Sequence, residues 1–246
     1  MKSTRRELLQ WLQNWAALAG VVAIAPAAVG CGTSNANADN GANGGASGAG
    51  ASSGGAAGQA AAGASNGEIP KAKPASWDPI AFNRDRGNAG AIPESYRAQI
   101  NGADGATAHL GKHLPYVPEM PAGAVAAGML AIMWGDPAKG HAKHPNAAPS
   151  ESNPTGHWYN WIRVRKATDA EAQEAESRFS SWPAAGSGDN GRYAAREGTD
   201  PAADAGKNTV YLVALPSDVQ PGDTVRVHAH CLTHGEYVDF VTIPAR

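Results

Sequence analysis

The sequence predicts an all-β domain, folded as a β-sandwich, in the C-terminal part of the chain. Apolar runs there are short and rich in β-branched and aromatic residues, and clusters of Gly, Pro, Asn and Asp separate them. Short apolar runs between turn residues are typical of the strands of a sandwich. The predicted strands are residues 129–134, 158–164, 210–215, 225–231 and 237–243.

The clearest strand is the segment 224–231, in which apolar and polar residues alternate. Successive side chains of a strand point to opposite faces, so one set should pack in the core and the other should face outward. The core-facing set is Val225, Val227, Ala229 and Cys231. The opposite set is Thr224, Arg226, His228 and His230.

Two further segments of the domain are predicted to lie outside the sheets. Residues 169–177 have a helix-like composition without an apolar stripe, which favours a short surface helix or an irregular excursion. Residues 182–207 are rich in Gly, Asp and Ala, which predicts a long insertion between strands.

The N-terminus has the pattern of an export signal. A basic start that includes Arg5 and Arg6 precedes an apolar stretch at residues 16–24, which is too short to span a bilayer. The arginine pair resembles a twin-arginine signal, and Ala28-Val29-Gly30-Cys31 resembles a lipobox, in which the cysteine is acylated. We therefore expect a signal at residues 1–31 and an exported protein. The lipid on Cys31 would anchor it to a membrane, facing the periplasm or the cell exterior.

A flexible linker is predicted between the signal and the domain, at residues 32–76. Residues 32–67 are almost entirely Gly, Ala, Ser and Asn, with Asp39 as the only charge. Such a segment cannot bury enough apolar surface to offset the entropy of ordering, so we expect it to be disordered. Residues 68–76 form a proline-interrupted lead-in, which leaves residues 77–246 as the globular domain.

Net charge, Gly and Pro content and the number of cysteines each argue against a class of partner or fold. The 20 Lys and Arg residues balance 22 Asp and Glu residues, giving a formal net charge of -2 that offers no reason to expect a nucleic-acid partner. The 30 Gly and 17 Pro residues exclude a long coiled coil. Two cysteines build no disulfide framework. Lipidation of Cys31 would leave Cys231 as the one thiol, either inert in the core or held as a thiolate by a metal.

The histidines and this cysteine suggest a transition-metal site. All eight histidines lie between His109 and His234. The spacing Cys231-Leu232-Thr233-His234-Gly235 allows a sulfur and an imidazole nitrogen to converge from one tight turn, and glycine permits the positive φ that such turns often need. The alternative is a buried cysteine beside a surface histidine.

Four motifs, in this order, resemble the superoxide reductases, specifically the iron-binding domain of the neelaredoxin and desulfoferrodoxin family. The first is Lys112-His113-Leu114-Pro115, and the second is His144-Pro145-Asn146. The third is His157 before the aromatic and aliphatic run 158–162, and the fourth is Cys231-x-x-His234-Gly. The resemblance covers roughly residues 108–243.

The resemblance implies a seven-stranded immunoglobulin-like sandwich with one mononuclear iron, cycling between Fe2+ and Fe3+. It implies a superoxide reductase, an enzyme that reduces superoxide to hydrogen peroxide with an electron from an unidentified donor. A sixth coordination position would be open, with Lys112 near it to attract the anion. Homo-oligomers remain an open alternative. The implied iron ligands are the axial Cys231 and the equatorial His113, His144, His157 and His234.

The chain departs from the family pattern in three places. The family usually has a glutamate two residues before the first histidine, and here that residue is Gly111. Glu119 or Glu151 could replace it only if a loop brings either one close. The loop between His144 and His157 is longer than in the family, and the segment 182–207 has no counterpart.

The remaining histidines are expected not to bind the metal. His228 and His230 lie on the strand face opposite Cys231 and are expected to be exposed or to lie behind the ligands. His109 and His141 lack the flanking Leu-Pro or Pro-Asn context.

Two other classes of protein fit parts of the pattern. An exported, cupredoxin-like copper electron carrier needs two His and a Cys, usually with a Met after the last His, and the last methionine here is Met133. A non-catalytic surface-binding module with incidental histidines would hold no stoichiometric metal. Structural zinc is disfavoured, because it usually has four ligands with more than one cysteine.

Overall fold

The computed structural model describes residues 68–245. The predicted signal at residues 1–31, including Cys31, and the part of the predicted linker at 32–67 lie outside the described residues. No helix within residues 68–245 is long and apolar enough to cross a membrane.

The described chain is mainly β, and its strands form two four-stranded antiparallel sheets, so the all-β prediction is confirmed at that level. The first sheet has the order β1-β2-β6-β5 and the second the order β4-β3-β7-β8. The strands, in chain order, are β1 Pro115–Tyr116, β2 Met129–Trp134, β3 Tyr159–Lys166, β4 Glu174–Arg178, β5 Arg192–Ala195, β6 Thr209–Ala214, β7 Thr224–Cys231 and β8 Gly235–Thr242.

The two sheets share one apolar core. Alternate side chains of β2 and β6 from the first sheet belong to the same buried cluster as alternate side chains of β3 and β7 from the second. The predicted inward face of β7 is confirmed, because its four members are 0% exposed. A bulge between Tyr159 and Trp161 shifts the register of β3 against β7, so Tyr159 and Ile162 both face inward although three positions separate them.

Two predictions about the segments between strands are wrong. Residues 169–177 contain no helix and instead lead into β4, Glu174–Arg178, which pairs with β3. β4 is an edge strand that buries only Ser177, so its sequence lacks an apolar pattern. The segment 182–207 is not only an insertion, because it contains β5, Arg192–Ala195, which pairs with β6.

A layer of short helices, which no pattern in the sequence predicts, precedes the first strand. Its two α-helices are α1, Pro79–Arg86, and α2, Glu94–Ile100. Asp78 caps α1 by accepting from the N–H groups of Ile80 and Ala81. Two π-helical turns, Gly87–Ala91 and Gly105–Leu110, and the 3-10 turn Gly111–His113 complete the layer. The layer packs on β8 through a separate buried cluster, Ile92, Tyr96, Ile100, Leu110 and Tyr237.

The first residue of the domain and the lead-in before it both contact the second sheet. The indole Nε1 of Trp77 donates to the buried carboxylate of Asp239 at 2.7 Å, and its ring meets Phe240 edge-to-face at 4.9 Å. Further upstream, the carbonyl of Pro70 accepts a hydrogen bond from Arg226.

Candidate metal centre

Five potential metal ligands converge at one end of the sheets. Each of them offers one donor atom, and these five atoms all lie within 4.8 Å of one another. Two come from the end of β7 and the turn after it, and one lies two residues before β3 begins at Tyr159. Another comes from the loop after β2, and the last comes from the helical layer. They are His113, His144, His157, Cys231 and His234, the five residues that the resemblance implies as iron ligands.

Backbone hydrogen bonds hold His144 and His157 in place despite the long loop between them. The N–H of His144 donates to the carbonyl of Trp134, the last residue of β2. Ala147 and His157 exchange two N–H···O bonds, of 2.9 and 2.8 Å, which close the loop at its base. Because Ala147 pairs with His157, the extra residues of the loop lie beyond this pair. The two imidazoles therefore stay close although the loop is long.

The Cys231–His234 turn brings the thiol and the fourth imidazole together. The N–H of His234 donates to the carbonyl of Cys231 at 3.2 Å, and β8 begins at the next residue, Gly235. Gly235 has a φ of 82°, and a Cβ there would lie 2.3 Å from the carbonyl oxygen of Ala91. Glycine is thus required both by the turn and by the close approach of the helical layer.

The four imidazoles form a ring. Successive centroids are 4.3–4.9 Å apart in the cyclic order His113, His144, His157, His234. The His113–His157 diagonal is longer, at 6.4 Å. The Nδ1 atom of His234 lies 3.1 Å from Nε2 of His113 and 3.0 Å from Nε2 of His157. Metal–nitrogen bonds of about 2.0–2.1 Å place neighbouring ligands of a square about 3 Å apart, so these distances suit one shared ion.

The sulfur of Cys231 lies close to two of the four imidazoles. Its Sγ atom is 3.7 Å from Nε2 of His144 and 3.8 Å from Nδ1 of His234, which are opposite members of the ring. The sulfur therefore approaches two opposite members of the ring almost equally, and it belongs to the same group of donor atoms within 4.8 Å of one another.

His113 is oriented by the chain itself. Its Nδ1 lies 2.6 Å from the carbonyl oxygen of His109, to which the Nδ1–H group donates. That bond leaves the lone pair of Nε2 free to face the cluster, because a neutral imidazole carries only one N–H. The ring of Tyr237 stacks on His113 with centroids 4.3 Å apart and planes 9° apart.

Burial keeps the imidazoles neutral in the metal-free chain. It lowers the pKa of His157 to about 4, with a further lowering by Lys112, and that of His234 to about 3, assisted by His157 and Lys112. The pKa values of His113 and His144 fall well below the usual value for the same reason, burial first and neighbouring imidazoles second. All four therefore present lone pairs at neutral pH.

Burial shifts the pKa of the thiol upward, whereas it shifts the pKa values of the imidazoles downward. Burial raises the pKa of Cys231 to about 12, although the backbone N–H groups of His234 and Thr233 and the charge of Lys112 lower it. The metal-free site thus holds a protonated thiol at neutral pH, and a cation must displace that proton to gain a thiolate ligand.

Lys112 is half-buried and lies beside the cluster rather than in it. Its Nζ atom is 5.5 Å from the ring centroid of Tyr96, and that ring stacks on the imidazole of His234 with centroids 4.0 Å apart. Burial lowers the pKa of Lys112, and the Cys231 thiolate opposes that shift. Tyr96 and Tyr237 are the site residues that the sequence analysis missed, and neither belongs to a motif that marks it.

The other four histidines are outside the cluster, as expected. His109 bonds to the hydroxyl of Tyr96, and His230 bonds to the side chain of Asn160. His228 is buried rather than exposed, at 8% exposure, because Glu236 on β8 binds it. Arg86 from α1 pairs with the same carboxylate.

No carboxylate within residues 68–245 joins the five donors. Glu119 and Glu151 are both exposed. At Gly111, a Cβ would lie 2.5 Å from Cδ2 of His141 and 2.8 Å from the carbonyl oxygen of Ala106. The imidazole of His141 therefore fills the space into which a side chain at position 111 would extend.

The chain was compared with models of known protein families, with curated proteins and with solved structures, and none of them matches. What the centre can do therefore follows from its donor atoms. Three buried imidazoles, the partly buried imidazole of His234 and one buried thiol, whose donor atoms lie within 4.8 Å of one another, could hold a metal ion.

Proposed function

We propose that this protein is a superoxide reductase, with a mononuclear iron held by His113, His144, His157, Cys231 and His234. The observation that carries the proposal is the position of the Cys231 sulfur, nearly equidistant from two opposite members of an imidazole ring. Iron held by these five donors would have one coordination position left for a small substrate. This is also the ligand set implied by the resemblance of the motifs to superoxide reductases.

The number and type of donors favour iron over the alternatives. Structural zinc is held by four ligands in almost all proteins, and here five donors converge. A blue-copper site uses two imidazoles and a thiolate, so two of the four imidazoles would be surplus. Imidazole suits iron, and a thiolate donates electron density to it.

Iron bound here would supply the single electron that superoxide needs, and two protons complete hydrogen peroxide. The chain itself would exclude water from the sulfur and orient the donor atoms. The buried sheet ends exclude water from the sulfur, since Cys231 is 0% exposed. The bond from His113 to the His109 carbonyl fixes which nitrogen faces the ion. These contacts hold the donors in a bonding arrangement before any ion arrives.

Capture of the anion requires a local field, because the whole chain has a formal net charge of -2. Lys112 supplies one: its charge lowers the pKa of all four ligand histidines and of Cys231, so it acts on every donor of the centre. A cation at this point attracts superoxide to the centre and is screened by salt.

We further propose the finer architecture and the location that the sequence implies. Two four-stranded antiparallel sheets around one core support an immunoglobulin-like sandwich. The twin-arginine-like start and the lipobox ending at Cys31 support export and a lipid anchor, with the domain facing the periplasm or the cell exterior.

The test is metal content together with the stoichiometry of superoxide consumption. The protein is loaded anaerobically with ferrous iron, its metal is counted, and its spectrum is recorded before and after oxidation. We expect one iron per chain, a thiolate-to-iron absorption band in the oxidised form, and one hydrogen peroxide per superoxide with no oxygen evolved. Oxygen evolution would indicate dismutation instead.

Electron paramagnetic resonance of the as-purified protein separates the other classes. High-spin ferric iron supports the proposal, and a cupric signal with one copper per chain would point to an electron carrier. A protein that retains no stoichiometric metal after purification without chelators would be a binding module, and the proposal would fail.

A further inference from the structure

Tyr96 connects the metal centre to its neighbouring cation. The residue lies on α2 in the helical layer and is 4% exposed. Its ring stacks on His234, with planes 29° apart, and the Lys112 ammonium lies over the same ring at 5.5 Å from the centroid. Tyr96 is thus in contact with a candidate ligand and with the residue proposed to attract the substrate.

Lys112 has no competing anion to hold it. Within residues 68–245, no carboxylate oxygen lies within ion-pair distance of its Nζ atom, whereas Lys71, Lys166 and Lys207 all have such a partner. A cation within about 6 Å of an aromatic face is attracted by the negative quadrupole of the ring, most strongly where water is partly excluded. The ring of Tyr96 is therefore the group that orients the Lys112 ammonium.

We propose that Tyr96 is a positioning residue: its ring holds the ammonium of Lys112 beside the His234 side of the metal centre and so raises the affinity of that centre for a small anion. The proposal rests on the proposed function for the identity of the anion, superoxide. The physical contact acts on any small anion, which allows it to be tested separately.

The hydroxyl of Tyr96 has a different role from its ring. It lies 2.9 Å from Nδ1 of His109, and the carbonyl of His109 accepts from Nδ1–H of His113 at 2.6 Å. Tyr96→Phe removes the hydroxyl and keeps the ring under Lys112, whereas Tyr96→Leu removes both. The pair of variants therefore separates the anchoring of the His113 loop from the positioning of the ammonium.

The experiment measures azide binding to the iron-loaded, oxidised full chain by its optical spectrum, at low and high ionic strength. The variants are Tyr96→Leu, Tyr96→Phe, Lys112→Ala and the double variant Tyr96→Leu/Lys112→Ala, with Lys139→Ala as the control for loss of an exposed lysine. At low salt we expect azide affinity to fall about fivefold in Lys112→Ala and comparably in Tyr96→Leu. The double variant should be no weaker than Lys112→Ala, and Tyr96→Phe and Lys139→Ala should keep the wild-type salt dependence.

Additive losses in the double variant would overturn the proposal, because Tyr96 would then act independently of Lys112. If Tyr96→Leu fails to fold or loses iron, a series of progressively fluorinated phenylalanines at position 96 decides the question. Fluorination weakens the quadrupole at nearly constant size, so azide affinity at low salt should fall stepwise with each fluorine. An unchanged affinity across the series would refute the positioning role. A wild-type chain that binds azide in this way but does not reduce superoxide would refute the proposed function alone.

Discussion

Tyr237 contacts two of the candidate ligands at once. Its ring lies parallel to that of His113, with centroids 4.3 Å apart, and its hydroxyl donates to the carbonyl oxygen of His234 at 3.0 Å. His113 belongs to the helical layer, and His234 belongs to the turn between β7 and β8. The tyrosine therefore links two candidate ligands that come from different parts of the chain.

Tyr237→Phe should lower metal affinity without unfolding the domain. The substitution retains the stack on His113 and leaves the His234 carbonyl without its donor, so the turn that carries the ligand is less restrained. Loss of such an outer contact typically costs about 10-fold in metal affinity. Competition with a chelator measures it.

The matched control is Tyr116→Phe, which removes a hydroxyl that donates to the sulfur of Met133, away from the five donors. Metal affinity in that variant should equal the wild-type value. Equal affinities in the two variants would mean that the Tyr237 hydroxyl has no part in holding the His234 turn.

Cys231→Ser should retain the fold and lose the sulfur-based absorption. Serine is slightly smaller than cysteine and occupies the same buried position, so the sheet end should tolerate it. A thiolate-to-iron charge-transfer band requires the sulfur, and the oxidised, iron-loaded variant should lack it. Persistence of the band in this variant would exclude Cys231 as a ligand.

Strand β7 and the five site residues were predictable because their signals are local. The alternation of 224–231 identifies the buried face that carries Cys231, and short motifs mark the residues that the structure brings together. The loop before His157 is longer than in the family, and the paired backbone bonds at Ala147 and His157 close it at its base. No local sequence pattern marks such a pairing between residues ten positions apart.

The missed features depend on contacts between distant parts of the chain. β4 buries one residue of five, so neither helical nor strand periodicity identifies it. The helices of the N-terminal layer are of eight and seven residues, too short for a clear apolar stripe. Tyr96 reaches His234 only because that layer packs on β8, and no spacing rule in the sequence connects the two residues.

Gly111→Ala should destabilise the domain, although both residues are small. The added Cβ would lie 2.5 Å from the His141 ring and 2.8 Å from the carbonyl oxygen of Ala106, and overpacking of this kind costs about 1–3 kcal/mol. Chemical denaturation measures the free energy of unfolding. A glutamate at this position would face the same clash, so the substitution Gly111→Glu should not create a carboxylate ligand.

Gly102→Ala is the matched control for this prediction. A Cβ at Gly102 would meet carbonyl oxygens only at 3.4 and 3.5 Å, which is ordinary contact. Its free energy of unfolding should stay within about 0.5 kcal/mol of the wild-type value. A Gly111→Ala variant as stable as Gly102→Ala would show that His141 can move aside.

The stability of the metal-free protein should be greatest between about pH 6.5 and pH 9. The folded-state pKa values of His157 and His234, about 4 and about 3, lie below the ordinary value of 6.5. The unfolded chain therefore binds more protons below pH 6.5, and stability falls as the pH decreases from there, by up to roughly 1.4 kcal/mol per pH unit for each histidine.

Cys231 acts in the opposite direction: its folded pKa of about 12 exceeds the ordinary 9.0, so stability is lost as the pH rises above 9. Denaturation across this range measures the profile, and a flat acid limb would contradict the burial of neutral imidazoles.

The same pKa values determine how many protons leave when a metal binds. At pH 7.5 the four imidazoles are already neutral, because burial lowers their pKa values, and the Cys231 thiol is protonated, because burial raises its pKa to about 12. Binding of Zn2+, used as a redox-inert probe, should therefore release about one proton per ion. Calorimetric titration in buffers with different ionisation enthalpies counts it, and Cys231→Ser should release almost none. Equal proton release from the wild-type protein and this variant would show that the sulfur stays protonated and that the ion is held by imidazoles alone.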